Sequence, residues 1–269
     1  KFIDEIIILN STNFEEKLKN ISVLKLLQDT SITFRPFGIN TPTGQGGNIK
    51  TFEDLGKKSD GKIGIMRADV DELSAVFQKG LERRATISRM STLSNSLQYF
   101  FEGWLSKFLE KKYKNDIYLI YSGGDDMLLV GAWDKIISAS YEIRKKFQEY
   151  TCYNRCFSMS TGITVTGDKF PIYRSAELSG NAEKESKKFI RNGKSKNAVT
   201  IFDITVGWEE YENYKSIWYK LYNGIKVGKD NKKMPQSLLR KLFMIHIFMK
   251  KRKNFFLKKT HIHWKKLVN

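Results

Sequence analysis

Cysteine is nearly absent. Cys152 and Cys156 are the only two in 269 residues, too few for a disulfide scaffold and suited to a reducing cytoplasm. Their spacing would supply half a zinc site, but no Cys or His nearby completes it, so both read as free thiols. Histidine is as sparse, with none before His246. His261 and His263, two apart on an expected helix, point in different directions and read as surface residues. Long apolar runs are also lacking, and the opening Lys1-Phe2-Ile3-Asp4 resembles no signal peptide, which argues against secretion and against a membrane partner. The chain does not open on Met, which reads as a piece of a longer protein.

What is there is enough for one substantial core and a smaller appendage: 41% of residues are hydrophobic and 13% aromatic. The net charge of +18 is concentrated at one end. From Tyr211 to Asn269, 16 Lys and Arg face only Glu212 and Asp230. Such a tail fits nucleic acid or an acidic protein partner, although a Lys- and Ile-rich proteome would give a similar bias without function.

The densest chemistry lies in Tyr118-Leu119-Ile120-Tyr121-Ser122-Gly123-Gly124-Asp125-Asp126-Met127-Leu128-Leu129-Val130. Two apolar runs joined by Gly-Gly predict a hairpin, and Gly123 and Gly124 permit positive φ and close approach of a phosphate to the backbone. Asp125 and Asp126 then project together and repel unless a hard divalent cation such as magnesium lies between their oxygens. A solvated Gly-Asp turn is the bland alternative. A second acidic cluster stands upstream in Lys62-Ile63-Gly64-Ile65-Met66-Arg67-Ala68-Asp69-Val70-Asp71-Glu72-Leu73, where an apolar strand runs into Asp69. Two-metal phosphoryl transfer draws carboxylates from separate strands to hold ions roughly 3.5–4 Å apart. Asp69, Asp125 and Asp126 supply them. Asp71 is either a further ligand or the N-cap of the helix that follows.

Along the chain, residues 1–50 read as a connector from a preceding domain. They hold a short apolar run at Ile6–Leu9, a helix-like stretch at Phe14–Gln28 and Gly/Pro/Thr-rich loop material up to Gly47. From 51 to 204 the periodicity alternates. Strand Ile63–Ala68 precedes a helical region Leu73–Leu109 broken near Gly80, then strands Ile117–Tyr121 and Met127–Val130. Helix Lys135–Tyr150, strand Phe157–Val165, helix Ile172–Ile190 and strand Val199–Phe202 follow. That order is the split βαβ of a ferredoxin-like α+β fold, whose antiparallel pairing brings the hairpin beside the first strand and Asp69 to Asp125 and Asp126. Residues 205–269 read as a small basic helical domain. Its stretch Leu238–Ile245 has helical spacing, and that apolar face packs either on the sheet or on another subunit.

Leu119–Asp126 together with Arg67–Leu73 resembles the large subunit of type III CRISPR effector complexes, particularly the Csm type. Ser88–Ser94 leading to Phe100-Phe101, and Asn197–Phe202, look like the same family, so the likeness covers most of Thr51–Phe202. It implies a palm domain related to GGDEF cyclases that joins ATP into cyclic oligoadenylates when target RNA is bound. On that likeness Asp69, Asp125 and Asp126 would hold Mg2+ or Mn2+. Ser122 with Gly123 and Gly124 would contact nucleotide, and backbone amides after Asp71 would suit phosphate oxygens. Lys187 would match the family's triphosphate lysine, with Lys184 and Lys188 as substitutes. Implied partners are other Csm-type subunits, CRISPR RNA, target RNA and ATP.

Two departures stand out. Ser74 replaces the family's usual Gly, and the N-terminal HD nuclease, first palm-like domain and cysteine-rich zinc module are not found. The chain thus resembles the C-terminal part of such a subunit. A GGDEF-like cyclase using GTP and a non-catalytic RNA- or subunit-binding scaffold are the competing readings. Asp-Asp-Met, in place of an acidic pair followed by Phe, argues against the first.

Overall fold

Ile63, Ile65, Met66, Ala68 and Val70 are all buried, although alternation along β1 (Lys62–Val70) sends them to opposite faces. A strand buried on both faces belongs inside a sheet covered by helices on each side. The computed structural model describes residues 38–57, 59–80, 85–191 and 193–226. The chain divides into two compact units, Lys1–Trp208 and Glu209–Asn269, and the sheet belongs to the first. The apolar run at Ile6–Leu9, the stretches Phe14–Gln28 and Leu238–Ile245, and all three histidines lie outside the described residues.

The remaining strands are β2 (Ile117–Gly123), β3 (Asp126–Ala132), β4 (Met159–Gly167), the two-strand ribbon β5 (Ile190–Arg191) and β6 (Lys194–Ser195), β7 (Ala198–Ile201) and β8 (Ile204–Gly207). The main sheet has six strands in the order β2-β3-β1-β4-β7-β8. β1 runs antiparallel to both β3 and β4, and β2 pairs antiparallel with β3, as the split βαβ requires. The fold is α+β. One addition breaks the antiparallel rule: β7 joins β4 in parallel. The intervening crossover helix, Ile172–Lys187, carries the chain back far enough to run in the same direction. β8 then folds back on β7 as an edge strand, where the sequence pattern had suggested the start of a helical domain.

Among the described residues the helices are α1 (Phe52–Gly56), α2 (Leu73–Ala75), α3 (Ile87–Gln98), α4 (Leu105–Tyr113), α5 (Trp133–Tyr150), α6 (Ile172–Lys187) and α7 (Trp208–Lys226). α2 passes into a π-helical turn at Val76–Gly80, and α3 starts afresh where the Thr86 side chain accepts the Arg89 N–H. A second π-helical turn, Tyr99–Trp104, joins α3 to α4 and buries Phe100 and Phe101 against Phe147 of α5.

Two glycines set the distance of the covering helices. A Cβ on Gly64 would come within 2.9 Å of Trp133 Cα, so α5 lies directly on that face of β1. A Cβ on Gly162 would come within 2.2 Å of Glu183 N and 2.3 Å of Ser179 O. Gly162 is in register with Arg67, so α6 rests its backbone on the opposite face, over the end of β1 that carries Asp69. Among the described residues no helix is long and apolar enough to cross a membrane.

Candidate active site

Gly123 pairs with Asp126, which leaves Gly124 and Asp125 as a two-residue hairpin turn. Gly124 has φ 66, at the first central position, where a type II′ turn needs glycine. A Cβ there would meet nothing within 4 Å, so conformation rather than space demands glycine. Gly123 differs from expectation: it stays in the ladder, outside the left-handed region. The turn is tied to β1 by Val70 N donating to Asp125 O at 3.1 Å.

Asp69 sits directly opposite Asp126 on β3 and Ser160 on β4. Residues in register share a face, so the two carboxylates emerge on the side covered by α6. Arg67, two residues back on that face, places Nη2 3.3 Å from Asp126 Oδ2 and Nε 3.5 Å from Glu183 Oε2. Lys187 Nζ lies 2.5 Å from Asp69 Oδ2 and 2.9 Å from Glu183 Oε1. Charge therefore alternates along one line: Asp126, Arg67, Glu183, Lys187, Asp69. Of the three candidate lysines, Lys187 faces the carboxylates, while Lys188 is exposed and pairs with Glu185. Lys184 is also exposed.

Burial pushes the Asp69 carboxyl up to about 6, and the neighbouring Asp125 and Glu183 charges add to the rise against the pull of Lys187. Burial works against the Lys187 ammonium too, but hydrogen bonds to Asp69 and Glu183 outweigh it and hold the lysine above its ordinary value. Both directions are consistent, because Lys187 is shared between two carboxylates and returns to Asp69 only part of what desolvation costs it.

Ser122 Oγ donates to Phe101 O at 2.7 Å. Its proton is spent on the π-helical turn, and its lone pairs remain available to a donor. Asp71 is not the helix N-cap. Glu72 occupies that position, with φ 55 and no side-chain cap, while the Asp71 carboxylate turns inward, 2% exposed. Its Oδ2 accepts from Ser158 Oγ at 2.6 Å and from Asn197 N at 3.0 Å.

Among the described residues no three His, Cys, Asp or Glu side chains converge closely enough to hold a metal ion. The donor set nevertheless suits a hard divalent cation. Asp69 and Asp126 share a face, Asp125 is close enough to raise Asp69, and Asp126 Oδ1 is buried with no partner. The two cysteines are free and exposed.

A cavity of about 460 Å³ opens past the end of β1, lined by Asp71, Lys79, Arg155, Cys156, Ser158 and Lys196 among others but not by Asp69, Asp125, Asp126 or Lys187. Lys196 Nζ reaches Glu72 Oε1 at 2.5 Å across its rim. Sequence reasoning missed Arg67, Glu183 and Lys196 as site residues. Glu183 had a local signal, four residues before Lys187 on one helix; Lys196 had none.

A family model described as Cas10/Cmr2, second palm domain, matches residues 62–200, just over half of the chain. The chain belongs to that family. The matched span contains Asp69, Asp71, Ser122, Asp125, Asp126, Lys187 and Lys196. Curated Cas10/Csm1 proteins of subtype III-A, named CRISPR system single-strand-specific deoxyribonucleases, are similar to it. The one from Methanocaldococcus jannaschii is 36% identical over 192 residues, covering 64% of this chain and 23% of its own. The one from Streptococcus thermophilus is 32% identical over 174 residues, covering 61% and 22%. Among solved structures, a Csm1–Csm4 cassette in complex with cA3 has a TM-score of 0.68 and 25% identity over 81% of this chain and 33% of that one. The cassette in complex with AMPPNP has a TM-score of 0.67 and 25% identity over 82% and 34%. The chain thus spans about a quarter of the length of these curated relatives and about a third of the structural ones.

Proposed function

We propose that this palm domain joins ATP into cyclic oligoadenylates as part of a Csm-type, RNA-guided type III CRISPR complex. The observation that carries the proposal is the in-register pair Asp69 and Asp126 at the mouth of the Gly-Gly-Asp-Asp turn, with Lys187 laid against it. The Csm1–Csm4 relatives with cA3 and AMPPNP support an adenine nucleotide as the substrate class.

Asp69, Asp125 and Asp126 would hold Mg2+ or Mn2+, which when bound activates a ribose 3′-hydroxyl and neutralises departing pyrophosphate. The chain's other groups bind and orient. Lys79, Arg155 and Lys196 offer three cations to a polyphosphate, Ser122 and the Gly123-Gly124 backbone leave room for the nucleotide, and Lys187 can exchange a carboxylate for a phosphate oxygen. The basic tail is assigned to CRISPR RNA, target RNA or a neighbouring subunit.

Asp125→Ala with Asp126→Ala in the assembled complex tests the reading. ATP conversion is expected to disappear while the circular dichroism spectrum stays unchanged, because the ladder around the turn is held by backbone pairing and Arg67 keeps its contact to Glu183 when Asp126 is lost. Conversion at the parental rate would show that chemistry occurs elsewhere. A product from GTP alone would favour the GGDEF-like reading, and no divalent-ion binding would favour a scaffold.

A further inference from the structure

Asp71 is buried and bonded to two distant segments, and it is not the helix N-cap. Its Oδ2 links the end of β1 to Ser158, which leads into β4, and to the backbone of Asn197, which leads into β7. Its own N–H donates to Ser158 O at 2.8 Å. The turn it grips is conformationally costly: Lys196 has φ 66 and Asn197 φ 48, two successive non-glycine residues in the left-handed region. Such residues persist only where surrounding contacts fix them. A buried carboxylate accepting a backbone N–H is a strong fixing contact. Asp71, Ser158, Ser195 and Lys196 all line the same cavity.

We propose that Asp71 is a positioning residue of the nucleotide cavity, clamping the Lys196–Asn197 turn so that the Lys196 ammonium stands at the rim to meet the polyphosphate. This deepens the proposed function and rests on it. The rival role is metal ligation through Asp71 Oδ1, which is buried without a partner. The two roles differ in what they ask of the side chain. A clamp needs an oxygen that accepts two hydrogen bonds, which asparagine also has. A ligand needs the negative charge.

The test uses the full chain, with a fluorescent ATP analogue to report nucleotide affinity and Mn2+ titrated by electron paramagnetic resonance. Asp71→Ala is expected to weaken the analogue about tenfold, the loss of one charge-assisted contact, while Asp71→Asn, which keeps the accepting oxygen without the charge, weakens it less. Lys196→Ala is expected to weaken it as much as Asp71→Ala, and the double variant no further, since one residue acts through the other. Mn2+ affinity stays at the parental value in both Asp71 variants. Ser158→Ala removes one of the two bonds without touching Asp71 and is expected to give an intermediate loss, which keeps the test open if Asp71→Ala does not fold. Additive losses in the double variant, or loss of Mn2+ affinity in Asp71→Asn, would overturn the proposal. Parental affinity in Asp71→Ala would overturn it while leaving the proposed function standing. A parent that binds no ATP analogue would overturn both.

Discussion

Gly162→Ala is a single-methyl change whose consequences run from packing to chemistry. The new Cβ would lie 2.2 Å from Glu183 N, 2.3 Å from Ser179 O and 2.7 Å from Ala182 C. All three are backbone atoms of α6, so no side-chain rotation relieves the contact. Restoring ordinary van der Waals separation requires α6 to retreat by about 1 Å. Overpacking of this kind costs about 1–3 kcal/mol, with the upper end favoured where backbone must move. The same retreat draws Glu183 and Lys187 away from Arg67 and Asp69, and a displacement of about 1 Å at a reacting centre costs up to about 100-fold in rate. Gly167→Ala is the matched control: it ends the same strand, and a Cβ there meets nothing within 4 Å. Its expected effect is neutral, or stabilising by about 0.4–1 kcal/mol through the unfolded chain. Denaturant midpoints of the two variants, with ATP conversion in the assembled complex, decide the matter. Equal midpoints for Gly162→Ala and Gly167→Ala would refute the claim that the Gly162 contact sets the height of α6.

The raised Asp69 carboxyl gives a signed pH dependence. The folded chain keeps a proton that the unfolded chain releases between the ordinary value of 3.8 and about 6, so the stability this proton confers is full below about pH 4 and is lost as pH rises through 6. Asp69→Asn mimics the protonated form. After allowance for solvent reaching the site, it should exceed the parent by on the order of 1–2 kcal/mol at pH 7.5 and match it at pH 4; the same difference at both would count against the burial argument. Lys187→Ala should weaken ATP binding about tenfold, whereas Lys188→Ala, exposed and paired with Glu185, should change it less than twofold. Equal effects would mean that neither lysine is special. For the basic tail, Lys251, Arg252 and Lys253 changed together to Ala should flatten the salt dependence of RNA affinity. Equal slopes would assign those residues to packing or solvation.

The sequence made the hairpin and the first strand legible because both are local: a near-continuous apolar run into Asp69 marks β1, and a Gly-Gly-Asp-Asp turn between apolar runs marks β2 and β3. The pairing of Asp69 with Asp126 needed only the split βαβ order on top of that. Lys187 stood out by the resemblance, and its pairing with Glu183 is a local contact four residues back on one helix, but Asp69 meets it only because Gly162 lets α6 settle against β4. Asp71 stood open between ligand and cap because its contacts are not local. Its true partners, Ser158 and Asn197, lie 87 and 126 residues away, beyond any periodicity. The parallel entry of β7 and the added β8 depend on where a crossover helix lands, which apolar spacing does not encode.

The most direct test of the central claim is anomalous diffraction from crystals of the full chain grown with Mn2+ and AMPPNP. The account predicts a manganese peak between Asp69 and the Asp125–Asp126 turn, Lys187 Nζ drawn off Asp69 toward phosphate, and the polyphosphate against Lys196. Nucleotide seated in the cavity with no manganese peak at these carboxylates, or manganese held at Asp71 instead, would contradict it.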